Sequence, residues 1–262
     1  MTIPLLQIDA FTDRAFGGNP AAVALLDGPA ETVWMQSVAA EMNLSETAFV
    51  EPRDDGTFGL RWFTPTVEVD LCGHATLASA HALLSEGRVP AGTTLRFATR
   101  SGELRAAADG ERIALDLPAN PPVEAEAPAE VLRALGVLPT RTAQAAGWWL
   151  IEVATEAEVR GLTPDFATLA RHDVCIVTAP ASTAPFDIAS RVFGPGIGID
   201  EDPVTGAAHC ILAPWWAPRL GRDDLRAAQV SARGGDLHVR LAGDRVEVAG
   251  TAVTVFRGEL TA

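Results

Sequence analysis

The chain has 262 residues, and 48% of them are hydrophobic, so it can bury the core of one large domain or of two moderate ones. Its formal net charge of −14 argues against nucleic acid and anionic membrane surfaces as partners. The three cysteines are an odd number, and the first residues lack the basic flank and apolar run of a signal peptide. No segment has the roughly 18 consecutive apolar residues that cross a bilayer. We therefore expect reduced thiols and a cytoplasmic protein.

The first half of the chain is predicted to consist of short strands, turns and two helices. Its strand segments are rich in apolar residues and are bounded by Gly, Pro, Asn or Asp. The loop over residues 16–20 contains two glycines and an Asn-Pro pair, so its backbone can adopt conformations that other residues resist. The expected strands cover residues 7–11, 22–26, 48–50, 58–63, 95–97 and 113–117.

Residues 31–42 have the spacing of a helix. The pattern places Val33, Met35, Val38 and Ala39 on its inner face.

Two stretches, residues 68–84 and 201–213, share one design. Each has an acidic residue, a turn, a glycine, and then a helix that is apolar almost all round and therefore belongs in a core. The glycines are Gly73 and Gly206, about half the chain apart, which indicates two related halves. The first N–H groups of a helix have no internal partner, so two such starts facing one cleft would bind a carboxylate without Arg or Lys.

The second half follows a stretch rich in Pro, Ala and Glu, residues 118–129, which is the predicted linker. Helices are expected over residues 129–135 and near 165–170, and Pro214 should kink the second central helix or end it early. The expected strands cover residues 148–153, 174–177, 186–193, 237–241, 246–248 and 253–256, with a further strand near 230.

We therefore expect an α+β fold of two pseudo-symmetric halves. Each half is a curved, mixed β-sheet wrapped around a central buried helix. The first covers residues 1–117, joined by the C-terminal strand at about 250–262, and the second covers residues 118–249.

Glu46 lies where the first helix has ended and an apolar strand begins. Partial loss of water around its carboxylate would favour the protonated form and suit the group to moving protons near neutral pH. The alternative is an ordinary glutamate at a strand end, in solvent or in a salt bridge.

Asp202 and His74 lie at the starts of the two central helices. Asp202, four residues before Gly206, can cap the helix, contact a substrate, or do both. His74 directly follows Gly73, where the positive end of the helix dipole favours a neutral imidazole that can hold a polar group or pass a proton. A packed histidine bonded to backbone is the alternative.

The sequence predicts neither a metal site nor a cofactor site. Cys72 with His74, and His209 with Cys210, do not have the usual spacing of structural zinc ligands. The glycine run over residues 194–198 is not followed by a helix with an acidic residue about 20 positions later, as a dinucleotide site requires.

Five motifs give the chain a resemblance to the phenazine biosynthesis PhzF family over most of its length. They are Asp-Ala-Phe-Thr at residues 9–12, Gly-Gly-Asn-Pro at 17–20, Asn-Leu-Ser-Glu-Thr at 43–47, Cys-Gly-His-Ala-Thr at 72–76 and Asp-Pro-Val-Thr-Gly at 202–206. The resemblance implies the diaminopimelate-epimerase-like fold, with the active site in a cleft between two halves. It also implies a homodimer and cofactor-free isomerisation of a small carboxylate-bearing substrate by proton transfer.

The resemblance also implies roles for individual residues. Glu46 matches the acid-base glutamate of the family, His74 its histidine, and Asp202 its cleft aspartate. The backbone near Gly73 and Gly206 would receive the substrate carboxylate. The positions that match substrate contacts are Gly18, Asn19, Cys72, Gly73, Gly206 and Ala207.

Two departures from related proteins keep other functions open. Ala207 stands where many relatives have Ser or Gly, so it offers no hydroxyl. The thiol pair of the related epimerases is missing, because Cys72 is matched in the second half by Val204 and Thr205. The alternatives to a proton-shifting isomerase are an amino-acid epimerase or racemase, and a non-catalytic protein that binds a metabolite or another protein.

Overall fold

The computed structural model of the protein describes residues 2–90 and 92–261. The chain divides into two compact units, one formed by Met1–Asp116 with Ala249–Ala262 and the other by Leu117–Val248. The described residues contain six α-helices and eighteen strands in a mixed arrangement, so the predicted α+β class is confirmed. No helix in the described part of the chain has the length and apolar character needed to cross a membrane.

The elements follow one another in chain order. The first part of the chain forms β1 (Ile3–Ala10), β2 (Asn19–Leu25), α1 (Thr32–Met42), β3 (Glu46–Pro52), β4 (Phe58–Phe63), β5 (Glu68–Val69), α2 (Gly73–Ser85), β6 (Thr94–Thr99), β7 (Gly102–Asp109) and β8 (Arg112–Pro118). The second part forms β9 (Val123–Glu124), α3 (Ala129–Leu135), β10 (Arg141–Ala145), β11 (Trp148–Glu152), α4 (Glu156–Arg160), α5 (Phe166–Leu169), β12 (Cys175–Pro180), β13 (Ile188–Gly194), β14 (Ile199–Asp202), α6 (Gly206–Leu220), β15 (Asp224–Gln229), β16 (Gly235–Ala242) and β17 (Arg245–Gly250). The last strand is β18 (Ala252–Leu260).

The sheet of the first unit holds the chain termini together and surrounds α2. Strand β1 pairs antiparallel with both β18 and β2, and β2 runs parallel to β3 through the α1 crossover. Strand β4 is antiparallel to β3 and parallel to β6. Helix α2 packs against β1, β2 and β3, and nine of its thirteen residues are buried, as expected for a helix rich in Ala and Leu.

Helix α1 packs against β3 and β4. Only three of the four residues predicted for its inner face are buried. Met35, Val38 and Ala39 are buried, whereas Val33 is 79% exposed. The helix begins at Thr32, so Val33 lies in its first turn, and the prediction that it faces the core is wrong.

The strands of the second unit also pair in a mixed arrangement. Strands β10 and β11 are antiparallel, β11 and β12 are parallel, β13 is antiparallel to β12 and parallel to β15, and β15 is antiparallel to β16. The proline-rich stretch predicted as a bare linker contains β9, which pairs with β10. Helices α3, α4 and α5 contribute Val131, Leu135, Val159 and Leu169 to the core on one side of this sheet.

Helix α6 continues through Pro214 to Leu220, so the prediction that Pro214 ends it early is wrong. A proline cannot donate to the carbonyl four residues earlier, which here belongs to Cys210. That carbonyl instead accepts a hydrogen bond from the backbone N–H of Asn120, at 2.9 Å. Because the freed acceptor is satisfied from outside the helix, the proline costs less than it would in an isolated helix.

Candidate active site

Glu46 is the first residue of β3, and its position follows from the end of α1. Asn43 ends that helix in the left-handed conformation, with φ 50°, and donates its N–H to the carbonyl of Ala39. Asparagine tolerates this conformation better than most residues, so the chain can turn directly into β3. Ala21 of β2 is the parallel neighbour of Glu46, which places the carboxylate at the edge of a buried strand pair.

The Glu46 side chain is buried, with the residue 8% exposed. Its Oε2 atom lies 3.1 Å from Nε2 of His74, an ion-pair contact without the angle of a hydrogen bond. No described donor makes a hydrogen bond to this oxygen. A buried carboxylate oxygen without a hydrogen bond is costly for stability, which is typical of a functional site.

His74 is the centre of the cluster. It is the second residue of α2, is 5% exposed, and has a neighbour at each ring nitrogen. Nδ1 lies 3.1 Å from Nδ2 of Asn19, a fully buried residue at the start of β2. Sγ of Cys72 lies 3.5 Å from Nδ1 and 4.0 Å from Nε2. The Asn19 amide can offer its NH₂ group to a neutral ring or its oxygen to a charged one.

The neighbours of His74 change its protonation. Burial of the ring opposes the charged form, but the acidic groups of Cys72 and Glu46 outweigh this effect and hold the pKa of His74 well above 6.5. The prediction of a neutral ring is therefore wrong, because the side chains that contact the imidazole have more effect than the helix end. Burial, together with the charge of Glu46, raises the pKa of the Cys72 thiol.

The glycine loop before β2 places Asn19. Gly18 has φ +59°, and a Cβ there would lie 2.1 Å from the carbonyl oxygen of Ala10, so only glycine fits. The buried carboxylate of Asp9 accepts the N–H of Phe16 at 2.7 Å, which fixes the entry to the loop. Asn19 therefore reaches His74 from a backbone with little freedom.

In the second unit, the predicted residues Asp202, Gly206 and Ala207 gather at the start of α6. Asp202 ends β14, and its Oδ2 atom accepts the hydroxyl of Thr205 at 2.6 Å. Thr205 is the N-cap residue, but its side chain makes no cap hydrogen bond. The N-cap side chain therefore does not satisfy the first-turn N–H groups of α6.

Gln229 is a residue that the sequence did not identify. It is 1% exposed and bridges the turn before α6: its Oε1 atom accepts the N–H of Thr205 at 2.8 Å, and its Nε2 atom donates to the carbonyl of Asp202 at 2.7 Å. A single buried glutamine at the end of an apolar strand has no distinctive sequence pattern. Its distance along the chain from Asp202 also does not predict that Gln229 contacts the turn before α6.

The comparisons with known proteins show the family and the fold of the chain. The family model described as phenazine biosynthesis-like protein, PhzC-PhzF, matches residues 8–258. The chain belongs to the PhzC-PhzF family. A full-length relative from Halalkalibacterium halodurans is 47% identical over 263 residues, covers 99% of both chains, and is named an uncharacterized isomerase. The prediction that this PhzF-family chain is an isomerase is confirmed as a general class of activity.

Solved structures show the same fold. A crystal structure of a PhzF-family protein from Enterococcus faecalis is 39% identical to the chain, covers 100% of both, and superimposes with a TM-score of 0.95. A probable proline racemase from Agrobacterium radiobacter is only 15% identical, over 99% and 93% of the two chains, with a TM-score of 0.65. This second likeness concerns the fold alone, and the predicted diaminopimelate-epimerase-like architecture of the PhzF-family chain is confirmed.

Proposed function

We propose that this chain is a cofactor-independent isomerase that moves a proton within a small, carboxylate-bearing substrate, such as an amino acid or a dihydro-aromatic acid. The observation that carries the proposal is the buried pair of Glu46 and His74, 3.1 Å apart, in which one carboxylate oxygen lacks a hydrogen-bond donor. Such an oxygen is available to accept a proton from bound substrate.

In the proposed reaction, Glu46 removes a proton from a carbon next to an unsaturated system. The electron pair of that C–H bond moves into the unsaturated system. The protonated Glu46 exchanges its proton with solvent and then donates a proton, or a deuteron in heavy water, to another carbon. The product is an isomer of the substrate, and the enzyme returns to its starting state. His74 lies beside Glu46, and Asn19 orients the His74 ring.

The helix starts supply the proposed carboxylate site. Helices α2 and α6 have 13 and 15 residues, and neither has a hydrogen bond from its N-cap side chain. The N–H groups near Gly73 and Gly206 can therefore bind an anion. We assign Asp202 to a substrate amine or hydroxyl, and we place Gly18, Cys72 and Ala207 around the substrate.

The test is a screen of cyclic and unsaturated amino acids in heavy water, with deuterium incorporation read by mass spectrometry. Glu46→Gln keeps the shape of the side chain but removes its basicity, and exchange should fall by about 10²-fold or more. Glu41→Gln, an exposed glutamate of α1, is the matched control and should exchange like the unchanged protein. Exchange at the normal rate in Glu46→Gln would overturn the assignment.

An epimerase or racemase is the second candidate, because the Cys72 thiol lies 3.5 Å from Nδ1 of His74 and is a possible second acid. The two functions differ in their products. An epimerase changes optical rotation without changing ultraviolet absorbance, whereas a proton shift along an unsaturated substrate changes the absorbance. We also propose that the enzyme works as a homodimer, which light scattering of the purified protein tests.

A further inference from the structure

Glu46, Cys72 and His74 bring three metal-binding atom types to one point. The carboxylate oxygen, the thiol sulfur and the ring nitrogen all lie within 4.8 Å of one another, and all three residues are buried. They come from the start of β3 and from the first turn of α2 with the residue before it. The spacing along the chain does not reveal this group, because its third member is 26 positions before Cys72.

Two of the distances between these atoms can be compared with those of a tetrahedral zinc site. Bond lengths of about 2.3 Å to sulfur and about 2.0 Å to nitrogen and oxygen require roughly 3.6 Å between sulfur and nitrogen and roughly 3.3 Å between nitrogen and oxygen. The observed distances are 4.0 Å from Sγ of Cys72 to Nε2 of His74, and 3.1 Å from Nε2 to Oε2 of Glu46. Sγ also lies 3.5 Å from Nδ1, so the His74 ring and the Cys72 side chain must rotate before the sulfur, Nε2 and Oε2 can share one cation.

We propose that Glu46, Cys72 and His74 bind a thiophilic divalent cation of the Zn²⁺ class, which inhibits the enzyme by occupying the proton-transfer pair. The cation takes Sγ, Nε2 and Oε2, and water or substrate fills the fourth position. A sulfur ligand selects Zn²⁺ or Co²⁺ over Mg²⁺ and Ca²⁺. The binding stands on this geometry alone, whereas the inhibition rests on the proposed function.

Binding displaces protons and needs no oxidant. The Cys72 thiol releases its proton to solvent as the sulfur–metal bond forms, and Nε2 of His74 gives up its proton so that its lone pair can coordinate. The Nδ1–H that remains needs an acceptor, which the Asn19 amide provides when it turns its oxygen toward the ring. Metal-bound histidines are usually held by such a second partner. With Oε2 coordinated, Glu46 cannot accept a proton from substrate.

The proposal is tested by titrating the full-length protein with Co²⁺. We expect one equivalent to bind with the near-ultraviolet charge-transfer band of a thiolate ligand, Zn²⁺ to abolish that band, and Mg²⁺ to have no effect. Cys72→Ser should lose the band and bind Zn²⁺ at least about 10-fold more weakly. Cys175→Ser, which removes another buried free thiol, is the matched control and should keep both.

Two further measurements keep the test decisive. If circular dichroism shows that Cys72→Ser is unfolded, Glu46→Gln decides, because it should keep the band but bind Zn²⁺ about 10-fold more weakly. No band in the folded protein, the same band in Cys72→Ser, or the same affinity in Glu46→Gln would each overturn the proposal. The titration needs no substrate, so its failure is distinguishable from a failure of the deuterium screen.

Discussion

Glu156 is a buried carboxylate whose contribution to stability can be worked out from the structure. It is 3% exposed, and its Oε2 atom accepts hydrogen bonds from the N–H and hydroxyl of Ser182, at 2.6 and 2.8 Å, and from the N–H of Thr183 at 3.2 Å. Its Oε1 atom accepts from Arg160 at 2.7 Å. These bonds tie the first residue of α4 to the turn that follows β12.

The perturbation is Glu156→Gln. Burial raises the pKa of Glu156, but the donors of Ser182 and Arg160 outweigh burial and lower this pKa from 4.5 to about 2. The difference of roughly 2.5 pH units corresponds to about 3 kcal/mol. Because the folded pKa is the lower one, this stability is present above pH 4.5 and is lost as the pH falls from 4.5 toward 2. Glutamine keeps the shape of the side chain but lacks its charge, so the variant should lose most of this contribution to the unfolding free energy at pH 7.

The assay is urea unfolding at pH 7, 4 and 3, followed by tryptophan fluorescence, which reports mainly on the second unit because four of the six tryptophans lie there. The difference in unfolding free energy between the two proteins should be about 3 kcal/mol at pH 7 and should shrink toward pH 3. Glu126→Gln, an exposed glutamate of the same unit, should change little. A constant difference at all three pH values would refute the reasoning.

Two further predictions concern Gly18, in the loop before β2, and His209, near the start of α6. Gly18→Ala should destabilise the first unit by about 2 kcal/mol or more in thermal unfolding, because alanine disfavours the positive φ and its Cβ would clash with the carbonyl oxygen of Ala10. Gly56→Ala is the control: its φ is +76° but the space around it is open, so the substitution should cost only about 1 kcal/mol. Burial lowers the pKa of His209 to about 4 from 6.5, so the stability of the protein should fall by up to about 3 kcal/mol as the pH drops from 6.5 to 4. His209→Gln cannot take up a proton and should lack that loss, and an unchanged pH dependence in the variant would contradict it.

The sequence predicted well those elements whose own composition shows that they must be buried. The stretches that begin at Gly73 and Gly206 contain so few polar residues that no exposed helix could be made of them, and both are central helices in the structure. The error at Pro214 concerns an effect that comes from elsewhere in the chain. Helix α6 passes Pro214 because Asn120, 94 positions earlier, satisfies the carbonyl of Cys210.

The same reasoning explains what could be predicted of the site. Glu46 and His74 were identified by their places at a strand start and a helix start, but their contact across 28 positions is set by the packing of α2 on β2 and β3. The charge of His74 was predicted wrongly because it depends on that contact. Gln229 was missed because its role exists only through its hydrogen bonds to the turn before α6.

The two helix starts differ in chemistry, and this difference bears on the proposed reaction. The start of α2 has a thiol, an imidazole and a carboxylate within 4.8 Å of one another. The start of α6 has Thr205, whose hydroxyl donates to Asp202, followed by Gly206 and Ala207. A two-base epimerase has a base on one face of the carbon and an acid on the other, whereas the proposed proton shift uses one group that takes a proton and returns a proton. The cluster beside the start of α2 is therefore the part of the described chain on which the proposed proton shift rests.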